Sequence, residues 1–473
     1  MVFVEIISNI LFVLALGYYF MTNMQWYSYK IERVIFHHTK PWWHLVYFVV
    51  PLLVYFVLSR YHLSIIATII YIGMLYFWKT KLDKPLVFTG RVKRFFGFLA
   101  FFTLFIIFLS LGTKHNSFAV VIPLFLAYVA SWLIEKMLFK GFVVKAKKKL
   151  DSMSDMTVVG VTASYGKTSI KNYIAHLLSS KYKVYATPRS VNTFGGVVKD
   201  INEDLPEDTQ IYVVEMGARG RGDIAEISEF VNPHYVVVGK IGPAHIEYFG
   251  SLENIRNTKM EILRSNRLKK AWVHKSAVVK PEENIEIFGD EIKNIKATLD
   301  GLEFEMDGEK YEANILGSFN AMNIAVAIKV AKELGIDTET IKERLKTLKP
   351  TPHRLQRIDA GGKLIIDDSF NGNIDGMLEG FNLASTYNGR KVLITPALVE
   401  VDDEFNIQVA KRADEVFDLV VITSDLNYEI FKKYVNPDKL VKLESKDKMQ
   451  EMLIEQTKAG DLILFANDAP SFI

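Results

Sequence analysis

The feature that most constrains the fold is the uneven distribution of apolar residues along the chain. Residues 1–140 are mostly Phe, Leu, Ile, Val and Tyr, whereas residues 150–473 have the mixed composition of a water-soluble protein. The first part holds five apolar segments, at about 4–22, 43–59, 62–78, 95–112 and 117–138. A helix needs roughly 17–25 residues to span a bilayer. The sequence therefore predicts an α-helical membrane region of about five transmembrane helices, followed by a soluble region.

Basic residues orient the predicted helices. They are concentrated in alternate connections and after the fifth segment: Lys30, Arg33, Lys40, Lys79, Lys81, Lys84, Arg91, Lys93, Arg94, Lys140, Lys145, Lys147, Lys148 and Lys149. The other connections hold little beyond Arg60 and Lys114. The positive-inside rule then predicts a multi-pass protein of the cytoplasmic membrane, with its N-terminus outside and everything after residue 138 in the cytoplasm. Few ionisable residues stand inside the apolar segments, which favours an anchor or docking platform over a transporter.

Composition excludes several classes of site. The net charge is +3 and 23% of residues are charged, which argues against a dedicated nucleic-acid-binding protein. The chain has no cysteine, so disulfides, zinc–thiolate sites and thiol nucleophiles are absent from its sequence.

In the soluble region, short β-branched runs alternate with helical patterns. Strands are predicted at 156–162, 183–188, 210–217 and 235–242, with helices at 167–180, 223–230, 251–266 and about 320–334. This alternation predicts a mainly parallel sheet covered by helices. The polar stretch 283–316 predicts antiparallel hairpins. A second alternating series begins near 363, after the proline-rich junction 349–354. The predicted domains are 1–140 (membrane), 141–155 (basic linker), 156–349 (P-loop-type α/β) and 350–473 (smaller Rossmann-like α/β).

Residues 160–169, "GVTASYGKTS", stand between a predicted strand and a predicted helix. They miss the general pattern G-x-x-x-x-G-K-[ST], because Val161 occupies the place of the first glycine. The strand-to-helix context still favours a nucleotide loop over a chance Gly-Lys-Thr. In such a loop, N–H groups at the helix start bind phosphate oxygens, Lys167 neutralises phosphate charge and Thr168 binds Mg²⁺.

The loop resembles that of the Mur ligases, G-x-T-G-[ST]-x-G-K-T, with Ala163 replacing a usual glycine. Further stretches are similar to motifs of the same family in the same order: "VVEMGARGRGDIAEI" (213–227), "GPAHIEYFGSLENIRNTKMEIL" (242–263), "GSFNAMNIAVAIKVA" (317–331), "TPHRLQ" (351–356) and "LIIDDSFNGN" (364–373). The resemblance covers roughly 156–473. "GKTSIK" and "DDSFNGN" look most like the branch of the family that adds D-alanyl-D-alanine.

The resemblance implies roles for particular residues. The implied ATP-binding residues are Gly160, Thr162, Ser164, Gly166, Lys167, Thr168, Ser169, Asn320, Asn323, Arg354 and Asp368. Of these, the two asparagines would contact adenine, Arg354 the γ-phosphate and Asp368 the ribose. The implied metal ligands are Thr168, Glu215, His245 and a carbamylated Lys259. The implied catalytic residues are Lys167, Lys259, His245 and Arg354, and the implied substrate-binding residues are Ser369, Asn371 and Asn373.

The resemblance also implies an activity. ATP and Mg²⁺ would drive formation of an amide bond between UDP-N-acetylmuramoyl-tripeptide and D-alanyl-D-alanine, through an acyl phosphate, in peptidoglycan precursor synthesis. The expected partners are these two small molecules, the lipid bilayer and membrane enzymes of cell-wall precursor synthesis, and not nucleic acid.

Two alternatives stand beside this interpretation. Membrane helices occupy the place of the family's usual UDP-binding domain, and "LILFANDAPSFI" stands where a K-G-[SA] segment is common. A membrane-bound Mur-like amide ligase of the poly-γ-glutamate synthase type, or one acting on a lipid-linked acceptor, would account for both departures. The second alternative is a nucleotide-sensing membrane protein without ligase activity. The candidate metal ligands Glu215, His245 and Lys259 argue against a sensor, which needs no second metal.

Overall fold

A computed structural model describes residues 2–36, 38, 40–82, 85–110, 120–244, 246–370, 374–398, 403–445 and 448–467. The chain divides into two compact units, an N-terminal unit (Met1–Val144) and a C-terminal unit (Lys145–Ile473). Each unit is described separately.

In the described residues of the N-terminal unit, helices are joined by turns and short irregular segments. Its helices are α1 (Val2–Trp26), α2 (Ile31–Phe36), α3 (Trp42–His44), α4 (Val50–Ser59), α5 (Ser64–Lys79), α6 (Gly90–Ser110) and α7 (Val121–Ser152). A π-helical turn, Leu45–Val49, joins α3 to α4. Helix α7 runs through most of the basic stretch 141–155, which the sequence predicted to be a linker. Four lysines, Ala146 and Leu150, which are all good helix formers, account for the continuation.

Helix α1 packs against α5 and α6. Its residues Phe12 and Leu16 are buried, and Gly17 permits the close approach of α6, because a Cβ atom there would lie 2.3 Å from Leu99 Cδ2. The hydroxyl groups of Ser8 and Thr68 are 2.8 Å apart and join α1 to α5. Small and hydroxyl-bearing residues at helix contacts are typical of packing inside membranes.

Four helical stretches are long and apolar enough to cross a membrane, by length and composition: Phe3–Trp26, Trp42–Ser59, Gly90–Ser110 and Val121–Ser152. Helix α5 is also apolar but has 16 residues. At 1.5 Å per residue it is about 24 Å long, shorter than a hydrocarbon core of about 30 Å. The five predicted segments thus correspond to five apolar helices in the described residues, of which four meet the length for spanning.

The C-terminal unit contains three sheets. The central sheet consists of β1 (Thr157–Thr162), β2 (Val184–Ala186), β3 (Ile211–Glu215), β4 (Tyr235–Val238), β5 (Lys270–His274) and β6 (Ile285–Phe288). Its strand order is β2-β3-β1-β4-β5-β6, and all of its pairs are parallel. A small antiparallel sheet follows, made of β7 (Lys293–Thr298), β8 (Gly301–Met306) and β9 (Glu309–Ala313). The parallel central sheet and the antiparallel hairpins confirm the sequence predictions.

The C-terminal sheet consists of β10 (Gln356–Ala360), β11 (Lys363–Asp368), β12 (Lys391–Thr395), β13 (Leu419–Ile422), β14 (Leu440–Lys442) and β15 (Leu462–Ala466). Its order is β10-β11-β15-β12-β13-β14, parallel except for the antiparallel pair β10–β11. The four strands expected from the second alternating series, β11, β12, β13 and β15, are all present.

Helices cover these sheets: α8 (Lys167–Leu178), α9 (Phe194–Glu203), α10 (Asp223–Val231), α11 (Ile246–Phe249), α12 (Leu252–Met260), α13 (Asn320–Glu333), α14 (Thr338–Lys346), α15 (Ile374–Ser385), α16 (Asp403–Val416), α17 (Tyr428–Tyr434) and α18 (Met449–Gln456). Helix α8 packs against α13, and both contribute to one core. The face of α8 predicted to be apolar, with Ile170, Ile174 and Leu177, is fully buried in that core.

Three details of the central domain differ from the sequence prediction. Residues 285–288, predicted to belong to antiparallel hairpins, form β6 at the edge of the parallel central sheet. The predicted helix 251–266 is shorter, since α12 ends at Met260 and a 3₁₀ turn, Glu261–Leu263, follows it. Strand β5, which the sequence did not indicate, precedes β6 and pairs with both β4 and β6.

Candidate active site

The loop after β1 is held by the segments that follow the two neighbouring strands. Thr162 Oγ1 donates a hydrogen bond to the carbonyl of Met216, just after β3, over 2.8 Å. Ser164 Oγ donates to the carbonyl of Gly242, after β4, over 3.0 Å. The loop therefore lies at the carboxyl ends of β1, β3 and β4, where parallel α/β sheets bind ligands.

Gly166 makes the turn from the loop into α8. Its φ angle of +79° is in the left-handed region that favours glycine. A Cβ atom at this position would lie 2.8 Å from Asn323 Oδ1, so α13 also requires a glycine here. Ala163, which replaces a usual family glycine, is not among the residues with positive φ. The alanine is therefore accommodated without backbone strain.

Lys167 is the first residue of α8 and folds back over the loop. Its Nζ atom donates to the carbonyl oxygens of Ala163, at 2.9 Å, and Ser164, at 3.2 Å. Burial lowers the pKa of Lys167, Glu215 opposes this change and the positive charge of Arg354 adds to it. The electrostatic influence of both residues places Lys167, Glu215 and Arg354 in one neighbourhood.

Glu215, the last residue of β3, is 1% exposed. Its Oε1 atom accepts a hydrogen bond of 2.9 Å from Asn192 Nδ2, and its N–H group donates to Thr187 Oγ1 over 3.1 Å. Its Oε2 atom is buried without a hydrogen-bond partner in the described part of the chain, although Lys171 Nζ lies 3.3 Å from it. A buried carboxylate oxygen free of hydrogen bonds suits a hard cation such as Mg²⁺, so the residues present fit this ion.

Lys259 on α12 is 4% exposed. Burial and the nearby Lys167 lower its pKa to about 7, against the opposing effects of Asp223, Glu215 and Glu261. A large fraction of this side chain is therefore a neutral amine near neutral pH, which is the form that reacts with CO₂. Its burial also distinguishes Lys259 from an ordinary surface lysine.

Arg354 reaches the same region from the segment before β10. The residues on either side of it, His353 and Leu355, have φ angles of +62° and +46°. This uncommon backbone is fixed by Asp368, whose Oδ1 atom accepts a hydrogen bond of 3.1 Å from the N–H of Leu355. The guanidinium group lies 5.5 Å from the centre of the Phe370 ring. Burial lowers the pKa of Arg354, whereas Asp368 and Glu215 raise it.

The two candidate adenine contacts are buried at the start of α13. Asn320 Oδ1 accepts hydrogen bonds from Tyr173 OH, at 3.2 Å, and Asn323 Nδ2, at 3.1 Å, while Asn320 Nδ2 donates to the carbonyl of Leu316 over 2.8 Å. These contacts join α8 to the start of α13 and to the segment before it. The adenine contact itself stays a prediction.

His245, Asn371 and Asn373 lie outside the described residues. Ser369 is half-buried, and its N–H donates to Asp367 Oδ1 over 3.0 Å. In the ranges that the structure describes, no group of three or more His, Asp or Glu side chains is placed to hold a metal. A Mg²⁺ ion bound with nucleotide phosphates needs only one or two protein carboxylates.

The sequence did not single out three residues of this region: Lys171, Asn192 and Asp367. Lys171 is 1% exposed and donates to the carbonyls of Thr187 and Arg189, both at 2.6 Å. Its position four residues after Lys167 was the available signal, because residues i and i+4 share a helix face. Asp367 Oδ2 accepts from His353 Nδ1 over 2.7 Å and so supports the Arg354 segment.

Comparison with known proteins shows that part of this chain is similar to Mur ligases. Residues 161–331 match the Mur ligase middle domain. A UDP-N-acetylmuramoyl-tripeptide–D-alanyl-D-alanine ligase from Bacillus subtilis (strain 168) is 28% identical over 332 residues, which cover 65% of this chain and 72% of that protein. The ligase of the same name from Escherichia coli (strain K12) is 28% identical over 54% of this chain. This chain covers 62% of the Escherichia coli protein, less than two thirds of its length.

Two solved structures have a similar fold. A MurF ligase from Thermotoga maritima in complex with ADP superposes with a TM-score of 0.59 at 27% identity, covering 69% of this chain and 80% of that one. A UDP-N-acetylmuramoylalanyl-D-glutamyl-2,6-diaminopimelate–D-alanyl-D-alanyl ligase from Acinetobacter baumannii gives a TM-score of 0.63 at 23% identity. That superposition covers 70% of this chain and 76% of the Acinetobacter baumannii chain.

Proposed function

Since this chain carries a Mur ligase middle domain and resembles ligases of the MurF type, we propose that it joins D-alanyl-D-alanine to a UDP-N-acetylmuramoyl-tripeptide with ATP as the energy source. The reaction belongs to the synthesis of peptidoglycan precursors. The observation that carries the proposal is the position of Lys167 at the start of α8, after β1, and of Glu215 at the end of β3, with Lys259 and Arg354 near enough for both of their charges to act on Glu215.

The first half of the reaction transfers a phosphoryl group. N–H groups at the start of α8, Lys167 and Arg354 bind the nucleotide phosphates and spread the charge that develops on them. The carboxylate of the tripeptide attacks the γ-phosphorus, the bond to the β,γ-bridging oxygen breaks, and ADP leaves. The product is an acyl phosphate, whose carbonyl carbon is already electrophilic, so no nucleophilic side chain is required.

The second half forms the amide bond. The amino group of D-alanyl-D-alanine attacks the acyl carbon, loses a proton and expels inorganic phosphate. Ser369, Asn371 and Asn373 would position this dipeptide, and Asp368 the ribose of the nucleotide. Asp368 ends β11, and the other three residues follow it in the chain. We interpret the part of the chain around the C-terminal sheet as a Rossmann-like domain that closes on the central domain and aligns the reactants.

Glu215 and Thr168 would hold the Mg²⁺ ion that accompanies ATP, and His245 with a carbamylated Lys259 would hold a second one. The ions, when bound, neutralise charge on the phosphoryl oxygens. The lowered pKa of Lys259, about 7, supports carbamylation, because the amine must be neutral to react with CO₂. Carbamylation turns a buried cation into an anion and changes this side chain from repelling a metal to attracting one.

The N-terminal unit would hold the enzyme in the cytoplasmic membrane. Many large apolar side chains of α4 to α7 are exposed, among them Ile69 (64%), Phe101 (61%), Phe108 (71%) and Phe125 (63%). Such a surface is stable in lipid and not in water. We interpret all five apolar helices as spans, with the N-terminus outside and the catalytic domains inside. This placement keeps the product near the membrane enzyme that uses it next.

The experiment measures phosphate release by the detergent-purified full-length chain with ATP and Mg²⁺. UDP-N-acetylmuramoyl-tripeptide and D-alanyl-D-alanine are added singly and together. We expect release only with both substrates, and at least a hundredfold loss in Lys167→Ala. Lys183→Ala is the matched control, because that lysine is 68% exposed and paired with the exposed Asp208.

Other outcomes distinguish the alternatives. Release with glutamate, or with a lipid-linked acceptor instead of the UDP-linked one, would retain the ligase chemistry and contradict the proposed substrate. Nucleotide binding without release under any of these conditions would favour a nucleotide-sensing protein.

A further inference from the structure

Lys171 is a buried cation with no role in the reaction described above. It stands one helical turn after Lys167 on α8, and its side chain is 1% exposed. Burying a lysine charge costs several kcal/mol unless the charge is paired and its donors are satisfied. Such a residue in the second turn of the phosphate-binding helix requires a specific explanation.

The three donors of the Lys171 ammonium group face three fixed positions. Two of them bind the carbonyl oxygens of Thr187 and Arg189, both at 2.6 Å. The third side of the group faces Glu215 Oε2 at 3.3 Å. An ammonium group has three donors and no acceptor, so these contacts account for its full capacity.

The contacts of Lys171 connect the three elements that build the metal region. The ammonium group belongs to α8, the two carbonyls to the segment after β2, and Glu215 to the end of β3. The segment after β2 makes two further contacts with Glu215, from Thr187 Oγ1 and from Asn192 Nδ2. Lys171 therefore fixes both the carboxylate and the segment that holds its other oxygen.

We propose that Lys171 is a positioning residue, whose ammonium group pairs with Glu215 Oε2 and, together with Asn192 on Oε1, fixes the orientation in which the carboxylate meets the metal that accompanies ATP. The inference rests on the proposed function, because it takes Glu215 as a metal ligand. Lys171 itself need not contact ATP, the metal or the reacting atoms.

Positioning and simple electrostatics predict opposite results for Lys171→Met. If Lys171 were only a nearby positive charge, its removal would strengthen the binding of a divalent cation. If it orients Glu215, its removal weakens that binding, because the carboxylate and the 187–192 segment lose their anchor. The sign of the change in metal affinity therefore separates the two roles.

The test uses the full-length chain in detergent with Mn²⁺ as the probe and a non-hydrolysable ATP analogue. The concentration of free Mn²⁺ is measured by electron paramagnetic resonance. We expect Lys171→Met to bind Mn²⁺ at least tenfold more weakly, which corresponds to about 1.4 kcal/mol. Binding of the analogue without metal should change by less than about threefold, since Lys167 and the loop are retained.

Lys329→Met is the matched control. Lys329 lies on α13 with a side chain 14% exposed, and it pairs with Glu286 at 2.8 Å and Glu291 at 3.1 Å. Its loss removes a shielded ion pair from the same domain, so it should lower the melting temperature but leave Mn²⁺ affinity within about twofold of wild type. Lys171→Gln, which retains one donor, is the second variant if the methionine variant does not fold, with at least a threefold loss expected.

Unchanged or tighter Mn²⁺ binding by a folded Lys171 variant would overturn the inference while leaving the proposed function intact. A wild-type chain that binds no Mn²⁺ together with the analogue would overturn the proposed function, and this inference with it.

Discussion

Gly166 is the single residue on which the geometry of the phosphate loop depends most. It combines a left-handed backbone with a close approach to Asn323, so two separate costs would follow from a side chain here. The backbone cost alone is about 1 kcal/mol for alanine. The contact cost arises because the Asn323 amide is itself fixed to Asn320 and cannot move away freely.

We predict that Gly166→Ala weakens binding of an ATP analogue at least tenfold, measured by calorimetry on the full-length chain. Gly222→Ala is the control, because Gly222 also has a left-handed φ of +90° at a helix start but nothing lies within 4 Å of its Cβ position. The control isolates backbone strain, and we expect it to leave nucleotide binding within about twofold. Equal losses in both variants would show that strain, and not the contact with α13, dominates.

Residue-level chemistry was predictable from the sequence where a motif carried it. Lys167, Glu215 and Arg354 were all indicated, and the structure brings them together. The sequence could not show that Lys171 turns toward Glu215, because an apolar helix face and a buried ion pair give the same spacing. Nor could it show the left-handed residues beside Arg354, since neither His353 nor Leu355 favours that conformation.

At the level of elements, prediction succeeded for strands with long β-branched runs and missed β5 and the two edge strands of the C-terminal sheet, β10 and β14. Strands β1, β3 and β4 are central, and almost all of their residues are buried, so their pattern is unambiguous. Strand β14 has only three residues, and all of them are partly or fully exposed. Strand β10 has no buried residue, and its sequence, QRIDA, has no continuous apolar run. Edge strands such as these are defined by pairing with a neighbour, which a single sequence does not reveal.

The end of β5 provides a prediction about pH. His274 is 5% exposed, and its Nδ1 atom accepts a hydrogen bond of 3.1 Å from the N–H of Ser276. Burial, with Lys275 and Lys240, lowers its pKa to about 4. The pKa of His274 is therefore lower in the folded state than in the unfolded state, where it is about 6.5. The neutral imidazole stabilises the fold fully above pH 6.5, and this stabilisation is lost as pH falls toward 4. The full loss is roughly 3 kcal/mol.

We therefore expect the amides of β5 to lose protection against hydrogen exchange between pH 6.5 and 4, after correction for intrinsic exchange rates. His274→Asn retains an acceptor for Ser276 but does not titrate in this range, so its protection should depend less on pH. If protection of the β5 amides depended on pH in the same way in the wild-type chain and the variant, His274 would not govern the stability of this strand.

The whole molecule combines two units with opposite surface requirements. The N-terminal unit exposes large apolar side chains along α4, α5, α6 and α7, whereas the C-terminal unit buries its apolar residues in cores around its sheets. The apolar unit was predicted from composition alone, because length and hydropathy suffice for membrane helices. Composition does not fix the number of spans in the same way, because the 16 residues of α5 form a helix shorter than the hydrocarbon core is thick.

Topology can be tested because the chain has no cysteine. A single introduced cysteine is then the only target for a maleimide reagent that does not cross membranes. We expect Tyr61→Cys, between α4 and α5, to be labelled in intact cells from which any outer barrier has been removed, because Tyr61 is 71% exposed and predicted to lie outside. Lys183→Cys, in the C-terminal unit and 68% exposed, should be labelled only after lysis. Protection of Tyr61→Cys in intact cells would contradict the predicted topology, because the connection between α4 and α5 would then not lie outside the membrane.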